Sequence, residues 1–136
     1  MTLHDLYPHR DMWWLPYELL REREPHQNIS HKSLPSWHEH CSFMEGKPYL
    51  SWHWFNAADR YPAGCVYLTR RNEIGIAVLK RYRGQGLAKS AVEELMSRHV
   101  GERLLANIAP GNDASLLLFR GLGFGGPIQV TLERPA

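Results

Sequence analysis

Arg81-Tyr82-Arg83-Gly84-Gln85-Gly86-Leu87-Ala88 is the stretch on which the reading of this chain turns. It follows a continuous apolar run, residues 73–80, which predicts a strand. It opens a stretch in which Leu87, Ala88, Ala91, Val92, Leu95 and Met96 recur at three-to-four spacing, which predicts a helix from 86 to about 99. A helix N-terminus leaves about four backbone N–H groups unpaired and carries roughly half a positive charge, so it attracts a phosphate or pyrophosphate. Gly84 and Gly86 remove side chains that would hold the anion away, and Arg81 and Arg83 bring charge that reaches phosphate oxygens. The segment is therefore built for an anion. It is not a P-loop, which needs Gly-x-x-x-x-Gly-Lys-Ser/Thr, nor the dinucleotide fingerprint Gly-x-Gly-x-x-Gly, whose third glycine would fall at Lys89.

Working outward, residues 49–55 (Tyr-Leu-Ser-Trp-His-Trp-Phe) and 64–69 are rich in aromatic and β-branched residues and predict two strands. Turns at 56–60 and 70–72 join them to 73–80 as an antiparallel meander. Further upstream, residues 1–7 alternate weakly as a short first strand. Residues 8–11 turn into a helical stretch ending near 24, with Pro16 interrupting it. Ser33 ahead of Pro35 predicts the start of a second helix through about Glu45, closed by Gly46. Downstream, 104–109 predicts a buried strand broken by Pro110 and Gly111, 113–122 a helix ending at Gly123, and 128–133 a last strand. The order β-α-α-β-β-β-α-β-α-β makes a mixed α/β fold with one sheet flanked by helices.

The 136 residues suffice for one domain with a core and are too few for two, so a single domain over 1–136 is expected. Its halves differ: 1–62 hold all five Trp and seven of the eight His, while 63–136 read as regular elements punctuated by glycine. No apolar run approaches the roughly 18 residues that span a bilayer, and the N-terminus does not resemble a signal peptide, so no membrane contact and a cytoplasmic location are expected. Cys41 and Cys65 form no C-x-x-C pair and read as reduced thiols. A formal charge of +2 with scattered Lys and Arg argues against binding bulk nucleic acid. His38-Glu39-His40, with Cys41 and His31 nearby, invites a metal reading. On a helix, however, two His at i and i+2 point about 200° apart, so no metal is expected.

Arg81-Tyr82-Arg83-Gly84-Gln85-Gly86 meets the pattern Arg/Gln-x-x-Gly-x-Gly/Ala, and Asn112-Asp113-Ala114-Ser115-Leu116-Leu117-Leu118-Phe119-Arg120-Gly121-Leu122-Gly123-Phe124 resembles Asn-x-x-Ala/Ser-x-x-Leu-Tyr/Phe-x-x-x-Gly-Phe. Two such motifs, in this order and separation, resemble the GNAT superfamily of acetyl-CoA-dependent N-acetyltransferases. The element order resembles the family over nearly the whole chain, although residues 1–62 match only in rhythm. The resemblance implies a mostly antiparallel sheet splayed between the strands at 73–80 and 104–109. It implies that Ile76, Ala77 and Val78 pair through their backbones with the pantetheine arm of acetyl-CoA, and that Arg83, Gly84, Gln85, Gly86, Leu87 and Ala88 hold the pyrophosphate. Asn112 would bond the pantetheine or its thioester end, and Ser115 and Phe119 would line the cofactor.

Acetyl transfer to an amine needs the neutral amine, and an alkylammonium titrates near pH 10, so a base must take its proton. Glu73, which opens the strand beside the expected thioester and matches a position acidic in many relatives, is the first candidate. His53 is the second, because imidazole titrates near neutral pH. Many family members place a proton-donating Tyr at the position of Phe119, which has no proton to give. Ser115, four residues earlier on the same helix face, is the expected partner of the leaving thiolate. The expected acceptor is a small amine or amino sugar; the alternatives are a protein N-terminus, a lysine or a nucleotide amine, or a module that binds CoA without catalysis. The resemblance also makes a homodimer reasonable.

Overall fold

The computed structural model describes residues 1–23 and 33–136. His31 and the expected helix end near 24 lie outside the described residues. Five strands form one sheet in sequence order: β1 (His4–Asp5), β2 (Ser51–Asn56), β3 (Pro62–Leu68), β4 (Glu73–Val78) and β5 (Leu105–Ala106). The first four pair antiparallel and β5 joins β4 parallel. The helices are α1 (Trp14–Arg21), α2 (Trp37–Glu45), α3 (Leu87–Ser97) and α4 (Asp113–Gly121). Among the described residues no helix is long and apolar enough to cross a membrane.

Local chemistry explains two departures from the sequence reading, at Pro16 and at the start of α2. Pro16 does not interrupt α1: it is the third helical residue, where its missing N–H has no acceptor to lose, and its ring is buried. The cap of α2 is Ser36, not Ser33. Ser36 Oγ accepts the Glu39 N–H at 3.1 Å and Glu39 Oε1 accepts the Ser36 N–H at 3.0 Å, a reciprocal box that fixes the cap one residue past Pro35. The expected strand at 104–109 is reduced to Leu105–Ala106, and β4 ends at Val78 in a 3-10 turn, Lys80–Tyr82.

The expected last strand at 128–133 does not form. Its alternation is real: Ile128, Val130 and Leu132 are 69%, 77% and 90% exposed, and Gln129 Nε2 donates to Thr131 Oγ1 at 3.3 Å, as on one side of an extended chain. Alternation gives a segment the capacity to be a strand. A facing strand must supply the ladder bonds, and none of the described residues does so.

The core lies on both faces of the sheet. Phe55, Val66, Leu68 and Ile74 are buried, and α3 adds Val92 and Leu95. Trp13 is buried at the start of α1, where its indole N–H donates to Leu6 O at 3.1 Å. His40 Nε2 donates to Trp13 O at 2.8 Å and ties α2 to the same point. Its burial holds the His40 pKa below the ordinary imidazole value, so this histidine is a neutral core residue. Among the described residues no group of three or more His, Cys, Asp or Glu side chains is placed to hold a metal.

Candidate active site

The site is built where β4 leaves its neighbour. The β4–β5 ladder holds only two pairs, Glu73 with Leu105 and Ile74 with Ala106; beyond them the strands are unpaired, as the splay requires. Glu73 O accepts the Thr69 N–H and Leu79 N–H donates to Ala63 O, so residues 73, 75, 77 and 79 aim their backbone groups at β3. Ile74, Ile76 and Val78 therefore aim theirs at β5. The ladder ends at Ile74, which leaves Ile76 and Val78 facing the gap. Ala77, grouped with them in the sequence reading, belongs to the β3 side, opposite Cys65.

The chain then turns through Lys80–Tyr82 into the cradle. Lys80 N–H donates to Glu22 Oε1 at 2.8 Å and Tyr82 OH donates to Asp59 Oδ2 at 3.0 Å, which pins the turn to the end of α1 and to the β2–β3 connection. Gly84 and Gly86 take φ of +78° and +77°, and a Cβ at either would meet nothing within 4 Å. Space and left-handed backbone coincide, so the loop curls open ahead of α3. No side chain caps α3, and its first ladder bond runs from Ser90 N to Gly86 O. The N–H groups of Leu87, Ala88 and Lys89 thus point out of the helix end. Gln85 is exposed beside them. Arg83 Nε donates to Val78 O at 3.2 Å, and Arg81 lies over the Tyr82 ring at 5.0 Å while lining a cleft of about 250 Å³ with Trp14, Glu18, Glu22 and Leu79. The helix end, the glycines and the arginines together suit a pyrophosphate.

Asn112 caps α4: its Oδ1 accepts the Ser115 N–H at 3.4 Å. Ser115 is half-buried, and Phe119, one turn on, is buried against Phe124 with ring centres 5.0 Å apart.

The structure separates the two candidate bases. In the cross-strand register Trp52, Tyr67 and Gly75 are neighbours, as are His53, Val66 and Ile76. Side chains alternate along a strand, so Glu73 shares the face of Gly75 and Tyr67, whereas His53 lies on the other. There His53 lies in the field of Arg98 and His99, at the end of α3; burial first, then Arg98, lowers its pKa. It is remote from the carboxylate.

Three residues beside Glu73 went unnoticed in the sequence. Thr69 Oγ1 donates to Glu73 Oε1 at 3.1 Å, and Asn107 Nδ2 donates to Glu73 Oε2. Tyr67 lies across Gly75 so closely that a Cβ there would sit 1.9 Å from its Cζ. Its ring stacks on Tyr49 at 3.8 Å and 5°, with Trp52 edge-on to Tyr49 at 4.7 Å and Tyr7 bonded to the Tyr49 backbone. Burial pushes the Tyr49 phenol up, so it stays protonated at neutral pH. The one sequence signal was a glycine inside an apolar strand, which marks a close approach.

Comparison with curated proteins gave no match. Solved structures do match. A spermidine N-acetyltransferase chimera from Vibrio cholerae and hSSAT gives a TM-score of 0.69 at 16% identity, over 92% of this chain and 82% of that one. A GNAT superfamily phosphinothricin acetyltransferase from Sinorhizobium meliloti, in complex with acetyl-CoA, gives 0.66 at 24%, over 90% and 73%. A GnaT-family acetyltransferase from Bordetella pertussis gives 0.66 at 24%, over 96% and 88%. These likenesses establish the fold. The sequence profile of the Acetyltransferase (GNAT) family matches residues 8–124, nearly the whole chain, and the chain therefore belongs to that family.

Proposed function

We propose that this acyltransferase moves the acetyl group of acetyl-CoA onto the primary amine of a small molecule with an apolar or ring-shaped body. The observation that carries the reading is the β4–β5 ladder, which stops at Ile74 and Ala106 immediately beneath a carboxylate and leads into an uncapped helix end. Gly84, Gly86 and the N–H groups of Leu87 and Ala88 would hold the pyrophosphate, with Arg83 beside it. Ile76 and Val78 would pair with the pantetheine arm. The co-substrate supplies an activated thioester carbonyl.

Glu73 accepts the proton of the acceptor ammonium, whose nitrogen then attacks the carbonyl carbon. The carbon–sulfur bond breaks; Ser115 passes its hydroxyl proton to the leaving sulfur and takes the second proton released by the new amide nitrogen, which restores the hydroxyl, and Glu73 gives its proton up to water. Tyr67 and Tyr49, backed by the buried Trp52, give a protonated amine an aromatic wall beside a carboxylate, a pairing that suits a cation on an apolar body. The Vibrio cholerae and Sinorhizobium meliloti relatives, a spermidine and a phosphinothricin acetyltransferase by description, are consistent with a small amine. The test is release of free thiol from acetyl-CoA by the purified protein across a panel of aryl-alkyl amines, polyamines, amino sugars and N-terminal peptides. Turnover with a small amine is the expected result. Protection by CoA against thermal unfolding, with no thiol released for any amine, would instead mark a non-catalytic binder.

A further inference from the structure

The Glu73 carboxylate is held at both oxygens by side chains from outside β4. Thr69 Oγ1 donates to Oε1 at 3.1 Å, and the threonine hydroxyl oxygen itself accepts the N–H of Arg71 at 3.2 Å and of Glu73 at 3.0 Å. Both of its lone pairs are taken, so its single proton is directed to the carboxylate. Asn107 Nδ2 donates to Oε2. Asn107 is the first residue beyond the last β4–β5 pair, so its bond crosses the gap at the point where the strands begin to part. It is also exposed, and replacing it leaves the core untouched.

We infer that Asn107 is a positioning residue for Glu73: its carboxamide fixes the rotation of the carboxylate across the gap between β4 and β5. Each carboxylate oxygen can take two donors, and each accepts one from this pair of side chains. The second lone pair of each is left to meet the acceptor ammonium, on the face that carries Tyr67. The inference rests on the reading of Glu73 as the base.

The test compares Asn107→Ala and Asn107→Asp with the unaltered protein in kcat, in the KM for acetyl-CoA, and in the acidic limb of kcat/KM against pH. A donor to the ionised form lowers a carboxyl pKa, so removing it raises the limb; a second carboxylate raises it further. Asn107→Ala is expected to move the limb up and to lower kcat about tenfold, with the KM for acetyl-CoA unchanged. Asn107→Asp, which keeps the shape of the side chain, is expected to move the limb further. It reads the same limb should the alanine variant fail to melt like the parent.

An unmoved limb in both variants would overturn the inference. So would an effect confined to the KM for acetyl-CoA, which is what a simple staple between β4 and β5 would give. Glu73→Gln, run alongside, separates the two possible failures. If it turns over normally, the base reading falls and takes the inference with it. If it is inactive while both Asn107 variants behave as the parent, the base stands and the role of Asn107 falls.

Discussion

At position 75 a single hydrogen atom decides where an aromatic ring lies. Tyr67 rests on β4 where a side chain of Gly75 would otherwise be, and from there it stacks on Tyr49 within reach of the face that carries Glu73. Gly75→Ala is expected to displace the ring, raising the KM for the acceptor while leaving that for acetyl-CoA within about twofold, since the cradle lies at the other end of the strand. Steady-state kinetics with each substrate varied in turn separates the two. Glu73→Gln removes the proposed proton acceptor without changing shape, and a loss of about 10²- to 10⁴-fold in kcat is expected, with CoA still protecting against heat. Ser115→Ala tests the other proton: full turnover at saturating substrates would remove Ser115 from the reaction.

Elements differ in how far their making is local, and that decides what could be read from the sequence. The loop and helix start at 81–88 were legible because two glycines ahead of an apolar three-to-four pattern are properties of consecutive residues. The meander was legible because its turns and aromatic strands alternate within a short span. The start of α2 was misread by three residues, although Ser36-x-x-Glu39 carried the box in plain view; Ser36→Ala is expected to cost about 1 kcal/mol in urea unfolding. The site around Glu73 was illegible for a different reason. Thr69, Asn107 and Tyr67 reach one carboxylate and one glycine only through the register of three strands, and register is settled by tertiary pairing. Register also decides His53: its imidazole makes it a candidate base, and the pairing of β2 with β3 turns it to the face opposite Glu73. Residues 128–133 failed in the opposite sense, having the pattern of a strand without the partner.

Across the whole molecule, the buried His40 and the half-buried His53 set a pH dependence of stability. His40 and His53 have folded pKa values below the ordinary 6.5, His40 through burial and His53 through burial and Arg98. Below about pH 6.5 the unfolded chain takes up protons that the folded chain resists, so stability is full above that value and declines as pH falls beneath it. Melting temperatures from pH 8 to 5 should show this decline, and His40→Gln should flatten it. Val130→Lys should leave the melting temperature of a dilute sample within about 1–2 °C, because that side chain covers nothing on the described chain. The parting of β4 and β5 has one more consequence. A groove made of main-chain groups at Ile76 and Val78 is written in a part of the molecule that side-chain replacement barely edits. In a saturation library those positions should tolerate most apolar residues for acetyl-CoA use and reject proline, whereas the half-buried Tyr67 and Tyr49 should be free to change which amine is chosen. One half of such a catalyst can diversify while the other stays fixed.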